Sequence, residues 1–321
     1  MRPTLLPKKP LAFLTMDDTS NFVTYDHLAK PPLAERGWTI IEVPWTASNV
    51  DWNQFAAVVI RSPWDYHHRL DEFLAVIDTI EGSEALLLNS AAIVRWNVDK
   101  TYLRGLEQGG LPIVPTQWLK SPTLGQLASC FEHFATDEIV IKPTIGAGAT
   151  DTFRIKLDRW PAQDLESLYK DRMAMVQPFL PSIIQQGEWS LFYFGGRYSH
   201  TILKTPAPGD FRVQEEYGSH LEAVVPSDDL LVLAEAAVDA IIEPTAYARV
   251  DLVRLPDDSP AIIELELIEP SLYFPFCEAS PSRFAAAIDQ HLSQRVASGP
   301  VAGQPAPRQR GARPVRSETV T

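Results

Sequence analysis

Residues 247–268 read YARVDLVRLPDDSPAIIELELI. Two apolar runs flank Pro256-Asp257-Asp258-Ser259, turn-forming chemistry that predicts a β-hairpin. Centred on Asp257 and Asp258, the hairpin sets Asp251 opposite Glu264 and Arg249 opposite Glu266. Side chains alternate along a strand, so Arg249, Asp251, Glu264 and Glu266 share one face, with the two glutamates roughly 7 Å apart. Carboxylates directly opposite one another destabilise a sheet, and a carboxylate in apolar surroundings is costly unless paired. No lysine is near in the sequence. Three carboxylates against one arginine require a further cation, and a hard divalent ion such as magnesium suits such oxygens. A solvated sheet face is the other reading.

The chain has 321 residues, 45% hydrophobic and 21% charged, a composition that supports a folded core. Its net charge of −13 speaks against nucleic acid or an anionic membrane as partner, since both need a basic face. It leaves room for a phosphorylated small ligand held by a few lysines. No apolar run is long enough to span a bilayer. The N-terminus lacks a small-residue cleavage site and meets Asp17 and Asp18 early, unlike a signal peptide. Cys130 and Cys277 are far apart and form no CxxC pair, which fits a reducing cytoplasm.

Residues 1–10 read as a flexible leader. Over 11–95, near-continuous apolar strands (LAFLTM, WTIIEVPW, FAAVVIRS, ALLLN) alternate with a proline-interrupted helix, YDHLAKPPLAERG, and an amphipathic one, LDEFLAVIDTIE. This alternation predicts an open parallel α/β domain. From about residue 96 the pattern changes. A helix over DKTYLRGLEQ ends at Gly109-Gly110, and strands follow over PIVPTQWL, DEIVIKPT, TFRIKL and AMVQPFL. Longer antiparallel strands come next, then the helix SDDLLVLAEAAVDAIIE and the acidic hairpin. The expectation is α/β and α+β architecture, with lobes at 96–179 and 180–295. Residues 296–321, rich in Pro, Gly and Arg, read as a disordered tail.

Three further stretches carry candidate chemistry. In DEIVIKPTIGAGATDTFRI, Lys142 closes a strand before Gly146, Ala147, Gly148 and Ala149. The loop is neither a Walker A motif nor a Rossmann fingerprint. Its small residues would still let backbone N–H groups approach phosphates, with Lys142 as a point charge; an ordinary glycine turn is the alternative. Lys100 lies near a helix start, where Asn97 or Asp99 is placed to cap and where a cation is unfavourable without an anion; a solvated lysine is the alternative. In VVIRSPWDYHH a loop leaves the C-terminal end of a strand, where α/β sheets bind ligands. There Arg61 suits a substrate carboxylate, Asp65 an α-ammonium group, and Trp64 and Tyr66 the pocket walls. Glu269 and Ser271, just past the acidic strand, reach toward the same place. Trp64 and Tyr66 merely capping the domain core is the alternative.

Taken in order, these features resemble the ATP-grasp superfamily of carboxylate–amine ligases, over roughly residues 11–292. The resemblance implies two lobes enclosing ATP and magnesium. It implies that Lys100, Lys142, Gly146, Ala147, Gly148 and Ala149 hold nucleotide. It gives the hinge Gln177-Pro178-Phe179 the adenine side, with Glu188 and Lys204. It implies Asp251, Glu264 and Glu266 as metal ligands, with Arg249 and Arg212 at the reacting phosphoryl group. The family commonly has Asn where Glu266 stands, and an acidic hinge residue where Gln177-Pro178 stands. RSPWDYHHRLDEFLAVID, RWNVDKTYL and FRVQEEYG look most like the glutathione-synthetase-like branch that holds the O-ureido-serine cyclo-ligase of D-cycloserine biosynthesis. What this implies is phosphorylation of the carboxylate of a small amino-acid-like substrate, then attack by an amine, within one molecule or between two. A kinase using the same site without an amine, and a non-catalytic nucleotide-binding module, are the alternatives. Homo-oligomerisation is left open.

Overall fold

The computed structural model describes residues 9–298. The leader through residue 8 and the tail beyond 298 lie outside the described residues, and so does most of what was expected of them.

Four parallel strands form the first sheet: β1 (Leu11–Thr15), β2 (Ile40–Pro44), β3 (Ala57–Ser62) and β4 (Leu86–Leu88), ordered β2-β1-β3-β4. Leu11 to Leu14 and Val58 to Ile60 are fully buried, as continuous apolar runs covered on both faces require. Helix α1 (Lys30–Glu35) is not interrupted by its prolines. They stand in its first turn, where a missing N–H costs nothing. Helix α2 (Leu70–Glu81) buries Phe73, Ile77 and Ile80, and places Asp71 and Glu72 at its N-terminal end. Two short helices, α3 (Ala91–Asn97) and α4 (Tyr102–Gln108), lead away.

The second sheet is antiparallel, with β5 (Gln117–Lys120), β6 (Glu138–Pro143), β7 (Phe153–Lys156) and β8 (Met173–Pro178) in the order β5-β8-β6-β7. Helices α5 (Leu124–Phe134) and α6 (Leu165–Leu168) belong to this part of the chain. After the short helix α7 (Ser182–Gln185) comes a third sheet: β9 (Glu188–Phe194), β10 (Arg197–Thr205), β11 (His220–Val224), β12 (Tyr247–Arg254) and β13 (Pro260–Glu266). Its order is β11-β10-β9-β12-β13, with α8 (Asp228–Asp239) between β11 and β12 and α9 (Ser280–Ser298) the last described element.

The β12–β13 hairpin pairs Arg249 with Glu266 and Asp251 with Glu264, as its sequence predicts. The route differs. Asp258 takes a left-handed φ of 66°, and Leu252 faces Ile262, one residue out of the expected register. A bulge at Ile263 restores the register at the acidic end.

Asparagine side chains lock this hairpin onto the first sheet's neighbourhood. Asn89 donates to the carbonyls of Tyr247 (2.9 Å) and Leu267 (2.7 Å) and accepts from Ala246 N–H (2.7 Å). Asn97 does not cap a helix. It donates to Leu265 O and accepts from Leu267 N–H, so it acts as a neighbour to the open edge of β13.

Candidate active site

Strands β9, β10, β12 and β13, the β6–β7 loop, the hinge after β8 and the loops beyond β1 and β3 enclose one cavity of about 740 Å³. Arg249, Asp251, Glu264 and Glu266 reach it from the hairpin. Arg249 donates to both oxygens of Asp251 (Nε at 3.0 and 3.1 Å, the terminal nitrogen at 2.8 Å) and also to Glu266. Ser190 donates to Asp251, and Lys204 lies 3.7 Å away, itself paired with Glu188 at 2.6 Å. Lys100 sits 3.2 Å from Glu264 and donates to Gly146 O at 2.6 Å.

The cations that the hairpin lacks in sequence therefore arrive from elsewhere in the chain. The three carboxylates are bridged by the chain's own cations. Among the described residues no three such groups converge as metal ligands. Arg249 engages both Asp251 and Glu266, and Lys100 holds Glu264.

The neutralisation is uneven. Burial raises Asp251, but Arg249 and Lys204 more than offset it and hold it below the usual carboxylate range. Lys100 and Lys142 likewise keep Glu264 low against its burial. Glu266 is pushed up to about 7, by burial and by Glu264 and Asp251, despite Arg249. An under-neutralised carboxylate beside other hard oxygens fits an added divalent cation.

Lys142 lines the cavity with no ion pair within 4 Å among the described residues, and burial with the nearby Lys100 lowers its pKa. Beside it the β6–β7 loop turns through left-handed conformations at Gly148 (φ 59°), Ala149 and Asp151. An unpaired lysine next to such a loop fits an anion, as nucleotide phosphates would supply. Behind them Gln177 and Pro178 meet an apolar wall of Val114, Leu180, Ile183, Phe211 and Ile263, suited to a flat base. Ile263 reaches that wall from the bulged residue. Gly146, Ala147, Ala149, Glu188, Lys204 and Arg212 also line the cavity.

Phe179 does not. It is buried on the far side of the hinge, with the Arg154 guanidinium 3.6 Å from its ring centroid. Arg212 is held by Asp210 and stacks 3.5 Å over the Tyr217 ring, whose hydroxyl donates to Gly148 O at 3.1 Å.

At the other end stand Trp64, Asp65, Tyr66, Glu269 and Ser271, with Phe22, His67 and Tyr273, which sequence reasoning missed. Arg61 is the misplaced residue. It is 1% exposed, its Nε donates to Asp26 at 2.9 Å and a terminal nitrogen to Pro270 O at 3.0 Å, and it lies over the rings of Tyr247 and Phe284. Ending an apolar strand, it points into the core rather than into the cavity. Asp65 is committed too, accepting from Trp45 Nε1 at 2.7 Å.

Two lobes around Lys142, a small-residue loop and an arginine-bridged acidic hairpin, beside an open α/β domain, define an ATP-grasp ligase, ADP-forming and joining carboxylate to amine. The family described as "D-cycloserine synthetase DcsG, N-terminal domain" matches residues 11–89. The cycloserine biosynthesis protein DcsG of Streptomyces lavendulae is 34% identical over 297 residues, covering 87% of this chain and 98% of that protein. The crystal structure of D-cycloserine synthetase DcsG superposes with a TM-score of 0.76 at 29% identity, over 88% of this chain and 99% of that one. The D-alanyl-alanine synthetase A of Vibrio cholerae shares the fold at 14% identity, with a TM-score of 0.67 over 92% of this chain and 100% of its own. The chain belongs to the DcsG family of ATP-grasp ligases. That family implies ATP and, usually, magnesium. No described helix is long and apolar enough to cross a membrane.

Proposed function

We propose that the protein is a cyclo-ligase acting on an amino acid of the O-ureido-serine type. It activates the substrate carboxylate as an acyl phosphate, and the substrate's own nitrogen closes a ring. The observation that carries this is the single cavity joining Lys142 and its small-residue loop, the acidic hairpin and the loops of the α/β domain, in which nucleotide and amino acid would share one enclosure. The cycloserine-related names of the relatives support the choice of substrate class.

Bound ATP and magnesium would supply the phosphoryl group and neutralise its charge. Lys142, Lys100 and the backbone of residues 146–149 would hold phosphate oxygens, with the adenine between Gln177-Pro178 and the apolar wall. Glu264, Glu266 and Asp251 are the residues that would hold magnesium. Arg249, fixed by Asp251, would face the transferring phosphoryl group and then the oxyanion formed as nitrogen attacks. The N–C bond forms while the acyl–oxygen bond to phosphate breaks, phosphate leaving with the electron pair and taking up the proton that the attacking nitrogen gives up. Cytoplasmic placement fits ATP use and the two free cysteines.

The test is incubation with ATP, magnesium and O-ureido-serine enantiomers. ADP, phosphate and a cyclised product should appear in equal amounts. AMP with pyrophosphate would overturn the acyl-phosphate scheme, and ADP without a cyclised product would leave a kinase.

A further inference from the structure

The cavity's charges do not pair off completely. Lys204 is matched to Glu188 and Asp251, Arg249 to Asp251 and Glu266, and Lys100 to Glu264. Lys142 is left over at the nucleotide end. Just past the acidic strand Glu269 lines the cavity half-buried, with no cation within 4 Å among the described residues and Lys100 the cation that acts on it from farther off.

Its position is fixed by its neighbours. Trp64 Nε1 donates to the Glu269 carbonyl at 2.9 Å, and the buried Tyr66 lines the same part of the cavity. Phe22, 39% exposed, extends the aromatic wall 5.4 Å from the Trp64 ring. A carboxylate held among aromatic faces and short of a counter-ion suits a primary ammonium group, which both the charge and the ring quadrupoles favour. Asp65, the sequence's choice for this task, is already taken by Trp45 and lies 3.9 Å from Arg69.

We propose that Glu269, framed by Trp64 and Tyr66, is the receptor for the α-ammonium group of the substrate. This deepens the cyclo-ligase reading by naming the group that marks the substrate as an amino acid. It also orients the molecule, with the ammonium at the α/β-domain end and the carboxylate toward Arg249 and the phosphates. Burial and the nearby Glu266 hold the free carboxyl near pKa 8, as expected of a group awaiting a cation.

The test reads binding, so it stands apart from turnover. Thermal shifts are measured on the full chain with ADP and magnesium, adding D-serine, L-serine or 3-hydroxypropanoate, which has no amine. Wild type should be stabilised by a serine enantiomer and far less by 3-hydroxypropanoate. Glu269→Gln should lose the serine shift, its apparent Kd rising at least about thirtyfold, the loss typical of removing one partner of a buried charge pair. It should keep the ADP–magnesium shift, which shows the fold and nucleotide end intact. Three results would overturn the proposal: equal serine shifts in Glu269→Gln and wild type, no preference of wild type for the amine-bearing probes, or loss of the shift in Asp65→Asn while Glu269→Gln retains it. Failure of cyclisation alone would overturn the proposed function and leave this assignment standing.

Discussion

Glu266 and Glu269 sit above the usual carboxylate range, near 7 and 8, chiefly because burial disfavours their charged forms. Lys100, Glu264 and Tyr66 face Glu269, and Arg249 faces Glu266. A folded-state pKa above the unfolded value means that the unfolded chain holds fewer protons between the two. Stability therefore falls as pH rises from about 4.5 toward 8. His67 and His200, held near 4 by burial, act the other way up to about 6.5, so the ligand-free protein should lose melting temperature mainly between about 6.5 and 8, and Glu269→Gln should flatten that slope; identical slopes would contradict the assignment of strain to Glu269. Asp251 and Glu264 work in the opposite sense, contributing stability that is lost as pH falls from the ordinary carboxylate range through their depressed values. Arg249 ties these groups together, so Arg249→Ala should cost about 3–5 kcal/mol in chemical denaturation, more than a surface arginine would. At this scale the acidic cluster is legible in sequence, because strand alternation and a turn centre suffice to place four side chains on one face. Its counter-ions are not legible. Lys100 and Lys204 are far from the hairpin in the chain, and only the folded topology brings them within 4 Å. Arg61 fails for the same reason, since its core partner Asp26 is 35 residues away.

Two loops decide whether the elements meet correctly. Gly148 has open space around its Cβ position but a φ of +59°, so a β-branched side chain there strains the backbone by roughly 1–2 kcal/mol. Gly148→Val should therefore raise the KM for ATP about tenfold or more with little change in melting temperature; an unchanged KM would make the loop structural. Gly187 is constrained differently. At φ +91°, an added Cβ would meet Leu203 Cδ1 at 2.7 Å and Lys204 O at 2.8 Å. Gly187→Ala should thus displace Glu188 from Lys204 and lower both melting temperature and activity, detectable by differential scanning calorimetry alongside ADP release. Helix α5 carried readable signals that sequence reasoning passed over: Thr123 and Gln126 form a capping box, and Leu127, Cys130 and Phe131 follow at helical spacing. The Ile263 bulge had no such signal. A residue inserted in one strand leaves the apolar pattern intact and shows only in the pairing.

The apolar cores divide the molecule unequally. One cluster joins Leu11, Phe13, Val59 and Leu88 of the parallel sheet to Phe192, Tyr247 and Phe284 of the third-sheet region, so these parts share a single interior. The Tyr247 hydroxyl reinforces that join by donating to Ile60 O at 2.8 Å. The second sheet lends only Met175 and Trp118 to the third sheet's cluster and buries most of its apolar surface against itself. Leu127, Phe131, Ile139, Ile141, Ile155, Tyr169 and Val176 form a cluster drawn wholly from residues 127–176, with partly buried neighbours between 119 and 168. Regions that bury their own apolar surface open as separate units, whereas a shared interior opens as one. Amide hydrogen exchange should therefore show residues 117–178 opening at lower free energy than β1, β3, β9 and β12, which should exchange together. The ligand adds a second expectation. Nucleotide held between the Lys142 loop and the hairpin, as proposed, would bridge the two units, so a non-hydrolysable ATP analogue with magnesium should raise protection in β6 and β7 toward that of β12. Uniform protection without nucleotide, or no gain in β6 and β7 with it, would mean that the lobes are already one cooperative body and that the cavity does not close on ATP.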